Sequence, residues 1–289
     1  MKDRIRVALV QSESKVGQED YDPRGANLEK ALSDVRRAAG DEADLVVFGE
    51  MYLSGYRTDE HLHKYATMIN PPDKHLQALF DAARENNVYV IMGAATYGSA
   101  FPGDIYNSAL LIGPREGLIG VYRKTHVSAF PYSRGVSTER CFYSPGKEIP
   151  VFETRIGRIG IHICYDIWFP EVSRVQVLKG ADYLINVSAS AAGFEVYWDH
   201  VLITRAVENA VWYAVCSVVG IQRGDHLFGG SRVVDPNGQV MVTGKYDEED
   251  LVICDIDPAK TRSARGRLHI FSVRQPELYT SIAEPAAYP

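Results

Sequence analysis

Three segments place a reactive side chain directly after an apolar run: Glu50 in DLVVFGEMYLSGY, Lys124 in GVYRKTHV and Cys164 in GRIGIHICYDIWFPEVSR. A carboxylate among apolar neighbours has its ionised form disfavoured and can accept a proton near neutral pH, so Glu50, followed by Met51, Tyr52 and Leu53, is a candidate base. The plainer reading is a solvated loop glutamate. Arg123 and Lys124 alternate across a strand, so a half-buried strand turns one of them inward, where an ammonium needs a carboxylate partner or a task such as holding an oxyanion. Two basic residues closing an edge strand are the alternative.

Cys164 is a core sulfur or a nucleophile. On a period of two it shares a face with His162 while Ile161 and Ile163 share the other, which puts it on the polar side of the strand. Cys216 in VWYAVCSVVG and Cys254 in LVICDID have apolar neighbours and read as small core residues, and Cys141 in ERCFYSPG lies in a loop. His162, Cys164 and Asp166 also have a spacing that could begin a metal site, but no fourth donor can be placed from the sequence. His61 and His63 read as a solvated turn.

The elements that must hold these residues alternate. IRVALVQ, DLVVFGE and VYVIMGAA read as strands separated by helices over GANLEKALSDVRRAA and DKHLQALFDAARENN, whose apolar residues recur at helical spacing. YNSALLIGP and GLIGVYRKTHV read as two strands joined by a turn near Pro114. A second cycle follows: IGRIGIHIC, a helix from Pro170, DYLINVS, a helix over HVLITRAVENA, VWYAVCSVVG, a hairpin with Pro-Asn-Gly at its turn, and DLVICDID. This is an α/β chain with a large, doubly covered sheet system. The pattern leaves open whether that system is one sheet or two. We expect one domain over residues 1–259 and a tail over 260–289 that packs on the domain or on a partner subunit.

Composition narrows the partners. With 46% hydrophobic and 24% charged residues and a net charge of −6, the 289-residue chain is globular and offers no basic surface for nucleic acid or an anionic membrane. No stretch has the apolar length of a signal peptide or a membrane span, and the four cysteines form no C-x-x-C pair, so a cytoplasmic protein is expected. A small-molecule substrate fits best.

A Glu, a Lys and a Cys, each ending a strand and in that chain order, resemble the nitrilase superfamily of carbon–nitrogen hydrolases, and the likeness extends through RAVENAVWYAVCSVVG and GGSRVVDPNGQVM. The resemblance implies a four-layer α-β-β-α sandwich, with two mixed sheets flanked by helices, assembled as a homodimer or larger oligomer. It implies Glu50 as general base, Lys124 as oxyanion stabiliser together with the backbone N–H of Tyr165, Cys164 as nucleophile, and Glu139 as a second glutamate in the site. Neither cofactor nor metal is implied. Lys124 beside Cys164 is expected to favour the thiolate, and both Glu50 and Lys124 to serve the transition state rather than the fold. Tyr165-Asp166 in place of a Trp-Glu pair looks like the amidase and N-carbamoyl amidohydrolase branches. Tyr52, Tyr165, Trp168 and Phe194 are expected to enclose a compact linear amide or N-carbamoyl substrate. Nitrile hydrolysis by the same residues, or a non-catalytic scaffold of the same fold, are the alternatives.

Overall fold

Runs rich in Val and Ile form strands wherever neighbouring layers can bury them. The computed structural model describes residues 3–17, 21–56, 58–98, 103–129, 131–132, 135–136, 138–222 and 224–285. In the first half these runs form β1 (Ile5–Gln11), β2 (Leu45–Phe48), β3 (Tyr89–Tyr97), β4 (Ile105–Gly113) and β5 (Gly117–Arg123), with α1 (Arg24–Gly40) and α2 (Lys74–Asn86) between them. A short hairpin of β6 (Pro131–Tyr132) and β7 (Gly135–Val136) precedes the second half. There follow β8 (Val151–Thr154), β9 (Gly157–Ile163), α3 (Pro170–Leu178), β10 (Tyr183–Ser188), α4 (Glu195–Asn209), β11 (Trp212–Ser217), β12 (Val219–Gln222), β13 (Asp225–Phe228), β14 (Arg232–Val234), β15 (Val240–Thr243), β16 (Asp250–Ile256) and α5 (Pro258–Leu268).

The sheet system is two sheets. One runs β16-β1-β2-β3-β4-β5 and the other β15-β14-β11-β10-β9-β8, each with a parallel centre and antiparallel flanks. Because β16 returns to pair with β1, Ile256 opposite Ile5, the last strand closes the first sheet rather than extending the second. Leu9 and Val47 of one sheet meet Ile161, Ile163, Ile185 and Val187 of the other in the inner layer. The outer face of the first sheet packs on α1 and α2 through Val46, Val90, Val35 and Leu79, and that of the second on α4 through Leu184, Leu202 and Ala206. This is the expected four-layer sandwich. Burying both faces of each sheet explains why the central strands read as continuous apolar runs rather than alternating ones.

The boundary expected between residues 259 and 260 falls inside α5, whose first turn is capped by the Asp257 side chain accepting from Ala259 N at 2.8 Å. Among the described residues no helix is long and apolar enough to cross a membrane.

The two sheets come together where β2 and β10 end. Glu50 N donates to Ser188 O at 3.2 Å, and a Cβ on Gly49 would lie 2.6 Å from Val218 Cγ2 and 2.9 Å from Ser188 O. Only glycine allows so close an approach, and the next residue, buried Glu50, sits where the two sheets meet.

Candidate active site

Glu50, Lys124, Glu139 and Asn107 form one buried polar cluster, each at most 2% exposed. Lys124 follows the last residue of β5, and its ammonium donates to Glu50 Oε1 at 2.9 Å and to Glu139 Oε1 and Oε2 at 2.9 and 2.8 Å. Glu139 opens a short 3-10 turn and also accepts from Ser128 N at 3.0 Å and Ser128 Oγ at 2.9 Å. Asn107 on β4 donates through Nδ2 to Glu50 Oε1 at 2.7 Å and to Glu139 Oε1 at 2.8 Å. Two oxygens of the cluster stand apart: among the described residues Glu50 Oε2 and Asn107 Oδ1 are buried and have no hydrogen-bond partner, and of the two only Glu50 Oε2 belongs to a carboxylate.

One ammonium faces two carboxylates, so their protonation properties diverge. Burial raises the Glu50 carboxyl and the Glu139 charge raises it further, which together outweigh Lys124 and keep it above the usual carboxylate range. Burial opposes ionisation of Glu139 as well, but the Lys124 charge and the donors from Lys124, Ser128 and Asn107 prevail and hold that carboxyl low. Lys124 loses to burial and gains more from Glu139 and Glu50, so its ammonium is held well above the ordinary range.

Cys164 follows β9 directly, with a φ of 41° in the left-handed region that a non-glycine residue occupies only when its surroundings impose it. Those surroundings are specific. Buried Asp166 accepts from Ile163 N at 3.1 Å, Asn186 Nδ2 donates to Cys164 O at 3.4 Å, and Arg205 Nε donates to Ile167 O at 2.8 Å. Asp166 also accepts from Tyr122 Oη at 2.8 Å and from Thr125 Oγ1 and His126 N at 2.9 Å each, tying the turn that carries Cys164 to the loop that carries Lys124.

The structure thus brings Glu50, Lys124 and Glu139 into one cluster and sets Cys164 beside it, close enough for its thiol to feel Glu50 and Lys124. It corrects three expectations. Cys164 packs against the inner-layer cluster that contains Ile159, Ile161 and Ile163, not on the face of His162, because its positive φ ends the strand alternation. His162 faces outward, with its ring nitrogens against Gln176 Oε1 at 3.0 Å and Tyr213 Oη, so His162, Cys164 and Asp166 do not converge. Tyr52 is fully buried in the outer core, its ring 5.0 Å from that of Phe48. The aromatic residue of that loop that senses Glu139, Lys124, Glu50 and Cys164 is Tyr56. The third concerns charge. Burial and the negative Glu50 push the Cys164 thiol up to about 12, and Lys124, already claimed by two carboxylates, does not offset them, so the resting sulfur is a thiol rather than a thiolate.

Of the other expected pocket residues, Tyr165 is half-buried with its ring edge-on to Phe169 at 5.3 Å, Trp168 is exposed, and Phe194 packs beside the outer cluster of the second sheet. Cys216 is fully buried between Val10 O and Val47 O, while Cys141 is exposed. A bulky, water-soluble disulfide reagent at neutral pH is therefore expected to label Cys141 and leave Cys216 untouched, as peptide mapping would read. Modification of Cys216 in the folded protein would contradict this packing.

Asn107 and Ser128 were not anticipated. The signal for Asn107 was a polar Asn-Ser pair inside YNSALLIGP, an otherwise apolar strand. Lys124, expected to matter only in the reaction, also neutralises the cluster. Lys124→Ala leaves two buried carboxylates facing each other and should destabilise the fold by about 3–5 kcal/mol, the usual cost of breaking a buried pair. Adding Glu139→Gln should recover part of that loss. Thermal unfolding of the single and double variants checks both, and an unchanged midpoint for Lys124→Ala would rule out the counter-ion role.

The sequence profile of the carbon–nitrogen hydrolases matches residues 6–266. The omega-amidase NIT3 of Saccharomyces cerevisiae is 30% identical over 289 residues, covering 98% of this chain and 97% of the relative. A nitrilase of Pyrococcus abyssi is 33% identical over 281 residues, covering 95% and 99%. The crystal structure of S. cerevisiae Nit3, described as a member of branch 10 of the nitrilase superfamily, superposes with a TM-score of 0.82 at 28% identity over 95% of this chain and 97% of that one.

Proposed function

We propose that this chain, which belongs to the carbon–nitrogen hydrolase family, cleaves the carbon–nitrogen bond of a small linear amide or N-carbamoyl compound through a thioester on Cys164. The observation that carries the reading is the unpartnered Oε2 of Glu50, a buried proton acceptor on the carboxyl whose affinity for a proton is raised, in the cluster beside the thiol. A buried polar atom without a partner costs stability, and a proton-transfer role gives a reason to retain it.

In this reading Glu50 Oε2 takes the thiol proton as Sγ attacks the carbonyl carbon, so no free thiolate accumulates. Protonation neutralises Glu50 and weakens its hold on Lys124, whose ammonium can then turn one N–H to the developing oxyanion. The backbone N–H of Tyr165 is the second proposed donor. As the tetrahedral adduct collapses, the carbon–nitrogen bond breaks, and the proton held by Glu50 passes to the leaving nitrogen, which departs as ammonia or an amine. Glu50, ionised again, then draws a proton from water as the water oxygen attacks the thioester carbon, and as that adduct collapses the carbon–sulfur bond breaks and Glu50 returns the proton to Sγ, so that Cys164 leaves as the thiol and the acid is released. Glu139, held ionised by its donors, keeps Lys124 charged and in place throughout.

The naming of the yeast relative as an omega-amidase supports an amide over a nitrile substrate, and the P. abyssi relative keeps the nitrile in the test. Asp166 itself does not decide the matter, since its carboxylate is taken up by scaffold donors. A panel of small amides, N-carbamoyl compounds and nitriles, assayed for ammonia, separates the readings. Release from amides or carbamoyl compounds is expected. Faster release from nitriles than from every amide would move the activity to nitrile hydrolysis, and no release from any class would favour a scaffold.

The tail supports self-association, since Val273, Leu278 and Ile282 are each more than 60% exposed. We place the protein in the cytoplasm, where its four unpaired cysteines would stay reduced.

A further inference from the structure

The Asn107 side chain bridges both carboxylates of the cluster. Its amide nitrogen reaches Glu50 Oε1 and Glu139 Oε1, at 2.7 and 2.8 Å, and its main-chain oxygen accepts from Lys124 N at 2.9 Å. The orientation of the side chain is fixed by charge, because a flipped amide would turn its carbonyl oxygen on two carboxylates. With Lys124 Nζ also on it at 2.9 Å, Glu50 Oε1 is held by two donors while Oε2 has none among the described residues. The carboxylate therefore cannot rotate to exchange its oxygens without breaking both bonds.

We propose that Asn107 is a positioning residue for the reaction: its amide pins Oε1 of Glu50 and so reserves Oε2 as the acceptor of the thiol proton. This rests on Glu50 acting as the base. The groups that face Glu50 are Lys124 from the end of β5, Glu139 from its 3-10 turn, Cys164 from the turn after β9 and Tyr56 from the loop after β2. The donor from Asn107 also opposes the upward pull of burial and Glu139 on the Glu50 carboxyl. Losing it should make Glu50 hold its proton to higher pH.

The test is the pH profile of kcat for Asn107→Leu, which keeps the side chain's bulk and removes the donor, with Asn107→Ser as a second variant. Because activity needs ionised Glu50, the acid limb should move to higher pH, kcat at pH 7 should fall on the order of 10²-fold, as for a misplaced catalytic group, and activity should partly return as the pH is raised. KM should stay within about threefold, as for a loss felt in the transition state rather than in binding. Asn107→Ser should lie between wild type and Asn107→Leu, and it carries the test if the leucine variant does not fold. A folded variant whose kcat falls by the same factor at every pH, or not at all, overturns the proposal. Glu50→Gln distinguishes this failure from a failure of the mechanism: if Glu50→Gln is inactive while Asn107→Leu matches wild type, only the role of Asn107 is lost.

Discussion

Cys164→Ala should abolish turnover, with a loss on the order of 10⁶-fold in kcat, the scale seen when a catalytic nucleophile is removed from a unit whose members act together. The variant should fold normally. The Cys164 sulfur lies 3.9 Å from Ser190 Oγ, too long to hold much structure, while the residue-164 carbonyl can still accept from Asn186 Nδ2 in the alanine variant and the Ile163 N–H still donates to Asp166 Oδ2. Its φ of 41° remains strained for alanine as for cysteine, so that cost is common to both proteins. Substrate should still bind, and equilibrium dialysis of a good amide against the variant reads this separately from the lost turnover. A folded Cys164→Ala protein retaining more than a small fraction of wild-type ammonia release would remove Cys164 from the chemistry.

Glu50→Gln should lower kcat by on the order of 10³–10⁴-fold, toward the upper part of what general base catalysis contributes, because here one carboxylate serves both the attack of the thiol and that of water. The charge count gives the variant a second, opposite signature. Glu50 is among the causes that raise the Cys164 thiol, whereas Lys124 lowers it, so the neutral amide should let the thiol ionise at lower pH than the wild-type value of about 12. Alkylation of Cys164 at fixed alkaline pH should therefore speed up in the variant even as turnover collapses. Slower turnover with an unchanged ionisation of Cys164 would mean that the carboxylate does not act on the sulfur. The fold should not suffer, since Lys124 and Glu139 are left as a neutral pair.

The contrast between what the sequence disclosed and what it hid has physical causes. Glu50, Lys124 and Cys164 were legible because each ends an apolar strand, and strand ends are where an α/β fold presents side chains. Glu139 needed the family likeness, since nothing in ERCFYSPG marks a buried carboxylate. Tyr52 was misplaced because adjacency in sequence is not contact: two residues beyond Glu50 the chain has already turned into the helix-facing layer. The face of Cys164 was misread because the period of two holds only while φ stays extended, and at Cys164 it does not. The thiol's protonation state depends on how many carboxylates share Lys124, a count fixed by the spatial meeting of Glu50 and Glu139, 89 residues apart by their numbering. Whether the strands form one sheet or two was hidden for a similar reason, because the return of β16 to β1 is a pairing between the two ends of the chain.

The central claim is that catalysis proceeds through an acyl-enzyme on Cys164 formed with Glu50 as base. Rapid acid quench during turnover of a good amide substrate, followed by peptide mass mapping, tests it most directly. The account predicts an adduct with the mass of the substrate acyl group on the peptide bearing Cys164, removed by hydroxylamine with formation of the hydroxamate, and absent from Cys164→Ala. Ammonia release in full, with no acyl group on Cys164 at any quench time or with the group on another residue, would contradict it.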